Sequence, residues 1–158
     1  MEEQKRTAIV VFSGEMDKVF AALIIGNGAA AMGHEVTMFF TFWGLKAIQK
    51  GNLTGKGFFG RMIGVMNRGG INRIGPSRFN FGGIGRWMFK KMMAAKGVTP
   101  LDQMLQLAVD MGVKLYPCLM TMDVMEIPQE SFIEGVQQPV GVATFMEAAS
   151  GAELNLFI

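Results

Sequence analysis

Thr7-Ala-Ile-Val-Val-Phe12 is an apolar run rich in β-branched residues, with no alternation between apolar and polar positions. A strand of that kind has to be buried on both faces, which is the condition of strands in parallel α/β sheets. The following residues agree. Ser13-Gly14 turns the chain, and Met16, Val19, Phe20, Leu23 and Ile24 recur at helical spacing in a stretch from about Met16 to Met32. Gly33-His34 closes that helix, and Glu35-Val-Thr-Met-Phe-Phe40 forms a second strand before a short helix from about Trp43 to Lys50. A βαβα opening predicts a parallel sheet with right-handed crossovers.

The pattern is interrupted from Gly51 to Gly97. Twelve of the 21 glycines fall there, around two helical pieces, Phe58 to Met66 and Ile84 to Ala95, with a glycine-, asparagine- and proline-rich loop between them. Regular structure resumes at Thr99-Pro-Leu-Asp102, where Thr99 is a candidate cap, Pro100 suits a first helical position and Asp102 a capping-box acid. Leu101, Met104, Leu105, Ala108 and Met111 make that helix's apolar stripe. Then come a strand from Val113 to Pro117, a short helix around Met120 to Met125, an edge segment from Gly135 to Pro139, a helix from Val140 to Ala149 and a terminal strand from Leu154. The expectation is one α/β domain over residues 1–158, a three-layer sandwich with a mainly parallel five-stranded sheet and a helical, glycine-rich insertion at 51–97. A chain of 158 residues is long enough to bury such a core.

Charge divides the chain. No acidic residue lies between Glu35 and Asp102, while eleven lysines and arginines do; the remainder holds four bases against thirteen acids. An acid-free, basic insertion with Phe58, Phe59, Met62, Ile63, Trp87, Met88 and Phe89 has three readings. It can be a lid or oligomer arm, a peripheral membrane contact with anionic lipid, or a nucleic-acid surface, in that order of preference. No nucleic-acid partner is expected, because the segment matches no common nucleic-acid module. Fifteen methionines and a mean hydropathy of +0.29 point to apolar surface hidden in an oligomer or laid on a membrane. The charged start Met1-Glu-Glu-Gln-Lys-Arg is unlike a signal peptide, and no apolar stretch reaches the roughly 18 residues of a membrane span. The expected location is the cytoplasm, where a free thiol stays reduced.

Cys118 is the only cysteine and His34 the only histidine, so neither an internal disulfide nor zinc-ligand spacing is available, and no metal or cofactor is expected. Cys118 falls where the strand ends and the Met-rich helix begins. That is the sheet edge at which α/β folds place their sites, and a helix N-terminus favours an anion, so a thiol there can act as a thiolate nucleophile. The competing reading is a small buried hydrophobe. Pocket-lining candidates at the same edge are Ser13 and Gly14 after the first strand, Phe42 and Trp43 after the second, and Met120 and Asp123 beside the cysteine. Asp123 and Glu126 can pair for acid/base work or be solvated surface. His34, in the turn before a strand, belongs to the opposite edge.

Phe39-Phe-Thr-Phe-Trp-Gly-Leu45 together with Pro117-Cys-Leu-Met-Thr-Met-Asp-Val-Met125 resembles the DsrE/DsrF-like family, in its DsrE-type sulfurtransferase branch with a long insertion. The resemblance extends from Arg6 to Ile158. It implies a flavodoxin-like fold, a homo-oligomer (trimer or hexamer), and sulfur donor and acceptor proteins as partners. It also implies that Cys118 accepts sulfane sulfur as a persulfide and passes it on. With no second cysteine, onward transfer must be to another molecule. The alternatives are a small-molecule or nucleotide-binding module without catalysis, and a membrane-associated assembly subunit acting through the insertion.

Overall fold

A computed structural model describes residues 4–158; the first three residues of the charged N-terminal segment lie outside the described residues. In chain order the elements are β1 (Arg6–Val11), α1 (Met16–Ala31), β2 (Glu35–Phe40), a 3-10 segment (Phe42–Ile48), α2 (Phe58–Met66), α3 (Ile84–Ala95), α4 (Leu101–Asp110), β3 (Lys114–Pro117), α5 (Leu119–Met125), α6 (Val142–Ala149) and β4 (Leu154–Phe157). The strands form one parallel sheet in the order β3-β2-β1-β4.

That sheet has four strands, where five were expected. The run from Gly135 to Pro139 does lie parallel beside β3, but it meets it only at two isolated bridges, Leu115 with Val136 and Cys118 with Val140. Three main-chain bonds hold it and the following Val140: from Gln137 N–H to Leu115 (2.9 Å), from Val140 N–H to Pro117 (3.1 Å) and from Leu119 N–H to Val140 (3.0 Å). Pro139 has no N–H to donate and Gly135 takes a left-handed φ of 89°, so a continuous ladder cannot form.

Strand alternation sorts the core. Ile9, Val11, Val36, Met38, Phe40 and Leu115 share one large cluster with Val19 and Leu23 of α1 and Leu101, Leu105 and Ala108 of α4. Inside it, the buried Asn27 amide donates to the Met104 carbonyl (2.9 Å) and ties α1 to α4. On the opposite face a smaller cluster of Ala8, Phe39, Cys118 and Phe145 lies under α6, with the Phe39 and Phe145 rings stacked 5.0 Å apart. Helices therefore cover both faces, thickly on one side and by α6 on the other.

The start of α4 differs from its sequence pattern. Pro100, not Thr99, is the residue before its first turn, and no side chain caps it. The Asp102 carboxylate instead accepts the Gln103 N–H (3.0 Å) and the Asn72 side-chain amide (3.3 Å), so it serves its own turn and the insertion.

Both helices expected in the insertion form. Polar bonds fasten it to the sheet unit: the Gly75 carbonyl accepts the Met16 N–H at the start of α1 (2.8 Å), and the Asp17 carboxylate accepts the Ser77 N–H (2.8 Å) and hydroxyl (2.7 Å). Helix α2 lies against α5 with Gly60 and Gly64 inward. A side chain on Gly64 would come within 2.1 Å of the Thr54 carbonyl oxygen, so only glycine permits this approach.

Candidate functional site

Cys118 is the residue between β3 and α5. Its backbone is still extended (φ −73°, ψ 116°), its N–H donates to the Phe40 carbonyl (2.9 Å), and its own carbonyl accepts the Met122 N–H (3.0 Å). It thus completes the pairing of β2 with β3 and opens the first turn of α5. The side chain is 5% exposed and packs in the cluster beneath α6. Leu119 and Met120, the next two residues, are exposed.

The chain leaving β2 reaches the same edge. Thr41 N–H donates to the Val11 carbonyl (3.1 Å) and Gly44 N–H to that of Phe12 (2.9 Å), folding the Phe-Trp-Gly segment back over the end of β1. A side chain at Gly44 would stand 2.0 Å from the Val11 oxygen, which explains the glycine. Phe42 has a left-handed φ of 46°, a costly conformation for a phenylalanine. It is secured by Thr121 of α5. The Thr121 hydroxyl accepts the Phe42 N–H (3.3 Å) and is hydrogen-bonded to the Thr41 hydroxyl (3.0 Å) in a buried contact.

A cavity of about 600 Å³ opens at the carboxyl ends of β1 and β4, lined by Ser13, Gly14, Glu15, Lys18, Trp43 and Lys46 among others. Glu15 accepts from the Lys18 ammonium (2.5 Å) and the Ser13 hydroxyl (2.8 Å). Those bonds, Lys18 first, hold its carboxyl below the usual carboxylate range. Burial pushes the Lys46 ammonium down, partly offset by Glu15. The N–H groups of Phe12 and Ser13 are taken by the Ile158 carbonyl (2.7 and 3.3 Å) and that of Met16 by Gly75, so these donors are not open to an anion.

Of the residues singled out from sequence, Ser13, Gly14 and Trp43 line this cavity together, and a side chain on Gly14 would meet the Trp43 carbonyl oxygen at 2.3 Å. Phe42 lines a smaller cavity with Leu45, Gln49 and Met125. Met120 and Asp123 are exposed on α5, and Cys118 lines neither cavity. His34 stands at the amino end of β2, its Nδ1 3.0 Å from the Thr7 hydroxyl, at the sheet edge away from Cys118.

Two contacts around the candidate site have little trace in the sequence. Thr121 couples α5 to the Phe-Trp-Gly segment; a small β-branched residue within a run of methionines was the only signal. Glu126 does not pair with Asp123. Its carboxylate accepts the Gly57 N–H (2.7 Å) and the Lys56 N–H and so caps α2 from the far end of α5. These two backbone donors hold the carboxyl below its ordinary range. A side chain on Gly60 would collide with it at 2.3 Å.

Comparison with known proteins agrees with this architecture. The sequence matches the DsrE/DsrF/DrsH-like family over residues 3–157. It is 43% identical to a Bacillus subtilis protein, "Uncharacterized protein YrkE", and 32% identical to "Sulfur carrier protein DsrE2" of Allochromatium vinosum, in both cases over 99% of each chain. Among solved structures it is similar to the ychN protein of E. coli, with a TM-score of 0.58 at 12% identity, covering 98% of this chain and 100% of that one.

Proposed function

The chain belongs to the DsrE/DsrF/DrsH-like family, and from that premise we propose that it is a sulfur carrier working through Cys118. The observation that carries the reading is the place of the only cysteine, at the carboxyl end of β3 where the backbone passes into α5. The full-length likeness to a protein named as a sulfur carrier supports it.

In the proposed cycle the Cys118 thiolate attacks the sulfane sulfur of a donor persulfide. The sulfur–sulfur bond of the donor breaks, the donor leaves as a thiolate, and Cys118 becomes a persulfide. An acceptor thiolate on another molecule then attacks the outer sulfur, and Cys118 departs as thiolate; no net oxidant is consumed. Thiolate fraction and leaving-group acidity set both rates. Because Cys118 is covered by the α6 cluster, each step needs that cover to open; the exposed Leu119 and Met120 give a partner an apolar surface beside it. Exposed apolar residues are also in keeping with the homo-oligomer that we propose as the working form.

The test is mass spectrometry after incubation with polysulfide or thiosulfate. Cys118 should gain the mass of one sulfur atom, lose it to a reductant, and lose the gain altogether in Cys118→Ser. No adduct with any donor, while a control carrier reacts, would sink the proposal.

A second reading rests on the cavity beside Trp43, which excludes Cys118 and fits a small-molecule or nucleotide-binding module. Ligand-induced thermal stabilisation that is unchanged in Cys118→Ser would favour it.

A further inference from the structure

Helix α2 is packed inside out. Its inward side is Gly60, Gly64 and the half-buried Ile63, while Phe58, Phe59, Met62, Val65 and Met66 follow one another along the outward side, Phe58 and Met66 each 80% exposed. The second insertion helix repeats the pattern in part. Phe89 and Met93 of α3 pack toward the core, and Ile84, Trp87, Met88 and Met92 face out, with Trp87 63% exposed. Phe79 and Phe81 in the connecting loop are exposed as well. Amphipathic helices of a water-surrounded domain turn such residues inward. Here the close approach of Gly64 to the Thr54 carbonyl, and of Gly60 to the Glu126 side chain, leaves no room for them.

The charges that the insertion itself carries have one sign. The three ion pairs among the described residues use Lys5, Lys18 and Lys114, none from the acid-free stretch. Arg68, Arg86 and Lys90 donate to main-chain carbonyls, while Arg61, Arg78, Lys91 and Lys96 stand exposed beside the apolar side chains. An apolar stripe on a segment whose own charges are all cationic complements an anionic surface with a hydrocarbon layer beneath it. A second copy placed face to face would oppose like charges.

We infer that the outward faces of α2 and α3 form a docking surface for an anionic lipid bilayer. Helices of nine and twelve residues cannot cross a membrane, and no helix among the described residues is long and apolar enough to do so. The contact is interfacial, with Phe58, Phe59, Trp87 and Met88 seated at the headgroup boundary and Arg61 and Lys91 on lipid phosphates.

The experiment is flotation of the full chain with vesicles of phosphatidylcholine alone or mixed with phosphatidylglycerol. Wild type floats with the anionic vesicles and is released by salt. Phe59→Ser and Trp87→Ser each lower the partition by about tenfold, since each removes one buried aromatic side chain. In a Trp43→Phe background Trp87 is the only tryptophan, and its emission shifts blue on the anionic vesicles. Both serine variants change exposed side chains, so circular dichroism verifies an intact fold. The inference is overturned by failure of wild type to float at low salt, or by equal flotation of wild type and variants. It is also overturned if light scattering shows an oligomer that the variants dissolve while no form binds vesicles, which would assign the surface to a second copy.

Discussion

Phe40 and Phe59 are the same residue type in opposite surroundings. Phe40, in β2, is 1% exposed among Val11, Met38 and Leu115; Phe59, in α2, is 71% exposed. The contrast extends to the regions that hold them. The sheet unit is built by sending large side chains inward from both strands and helices, so its cohesion is apolar. The insertion buries Ile74 and part of Phe89 and Met93, but its helix α2 turns glycines inward and is fastened by polar bonds from Glu126 to its start; Gly75 to Met16 and Ser77 to Asp17 add further polar ties. Helix α2, joined in that way, can open without unfolding the rest, because little apolar area is exposed when it does.

The sharpest way to break this comparison is Phe40→Ala. Removing a fully buried ring from the sheet leaves a cavity in the main core and should cost about 3–5 kcal/mol. Urea unfolding followed by circular dichroism measures it. A loss below about 1 kcal/mol would mean that the sheet unit does not depend on interior packing as described.

The legible part of the molecule is the part in which apolar pattern and burial coincide. The β-branched run of β1 and the stripe Leu101, Met104, Leu105 and Ala108 of α4 could be assigned to the core because each is buried by its own element's geometry. The limits of α2 and α3 were legible too, from composition and breakers. The orientation of α2 was not, since an apolar stripe read by itself points inward; only the close approaches at Gly60 and Gly64 turn it outward. The fifth strand failed because Pro139 and Gly135 break a ladder that hydrophobicity alone would continue. At the candidate site, the position of Cys118 followed from the strand and helix on either side of it. The partnership of Glu126 with Gly57, 69 residues apart, had no local trace.

A smaller effect is expected from that carboxylate. Folding favours its ionised form, because the N–H groups of Gly57 and Lys56 bond to it. Its contribution is therefore complete above the unfolded carboxyl value of about 4.3 and is lost as pH falls through the lower folded value. Hydrogen exchange along α2 should accelerate as pH falls below about 4.3, after correction for intrinsic rates, while that of β1 and β2 stays slow. Glu126→Gln should raise exchange in α2 already at neutral pH and flatten the dependence. If α2 and β2 instead loosen together, the insertion is not a separate unit and the distinction between the two regions fails.

The least effect belongs to Phe59→Ser, and its smallness is the informative result. A ring already 71% in water has little hydrophobic contact to lose, and the serine is accommodated on the outside of α2 without touching Gly60 or Gly64. Stability should change by no more than about 0.5 kcal/mol, or rise slightly as apolar surface leaves water. Urea titration of the two proteins side by side measures it. A cost near that of Phe40→Ala would show that Phe59 is buried in the isolated protein, by a second copy or by closure of α2 onto the sheet, and the inside-out helix would be withdrawn. A neutral result leaves the aromatic residue without a role in folding, so its cost must be balanced by something outside the chain that it touches.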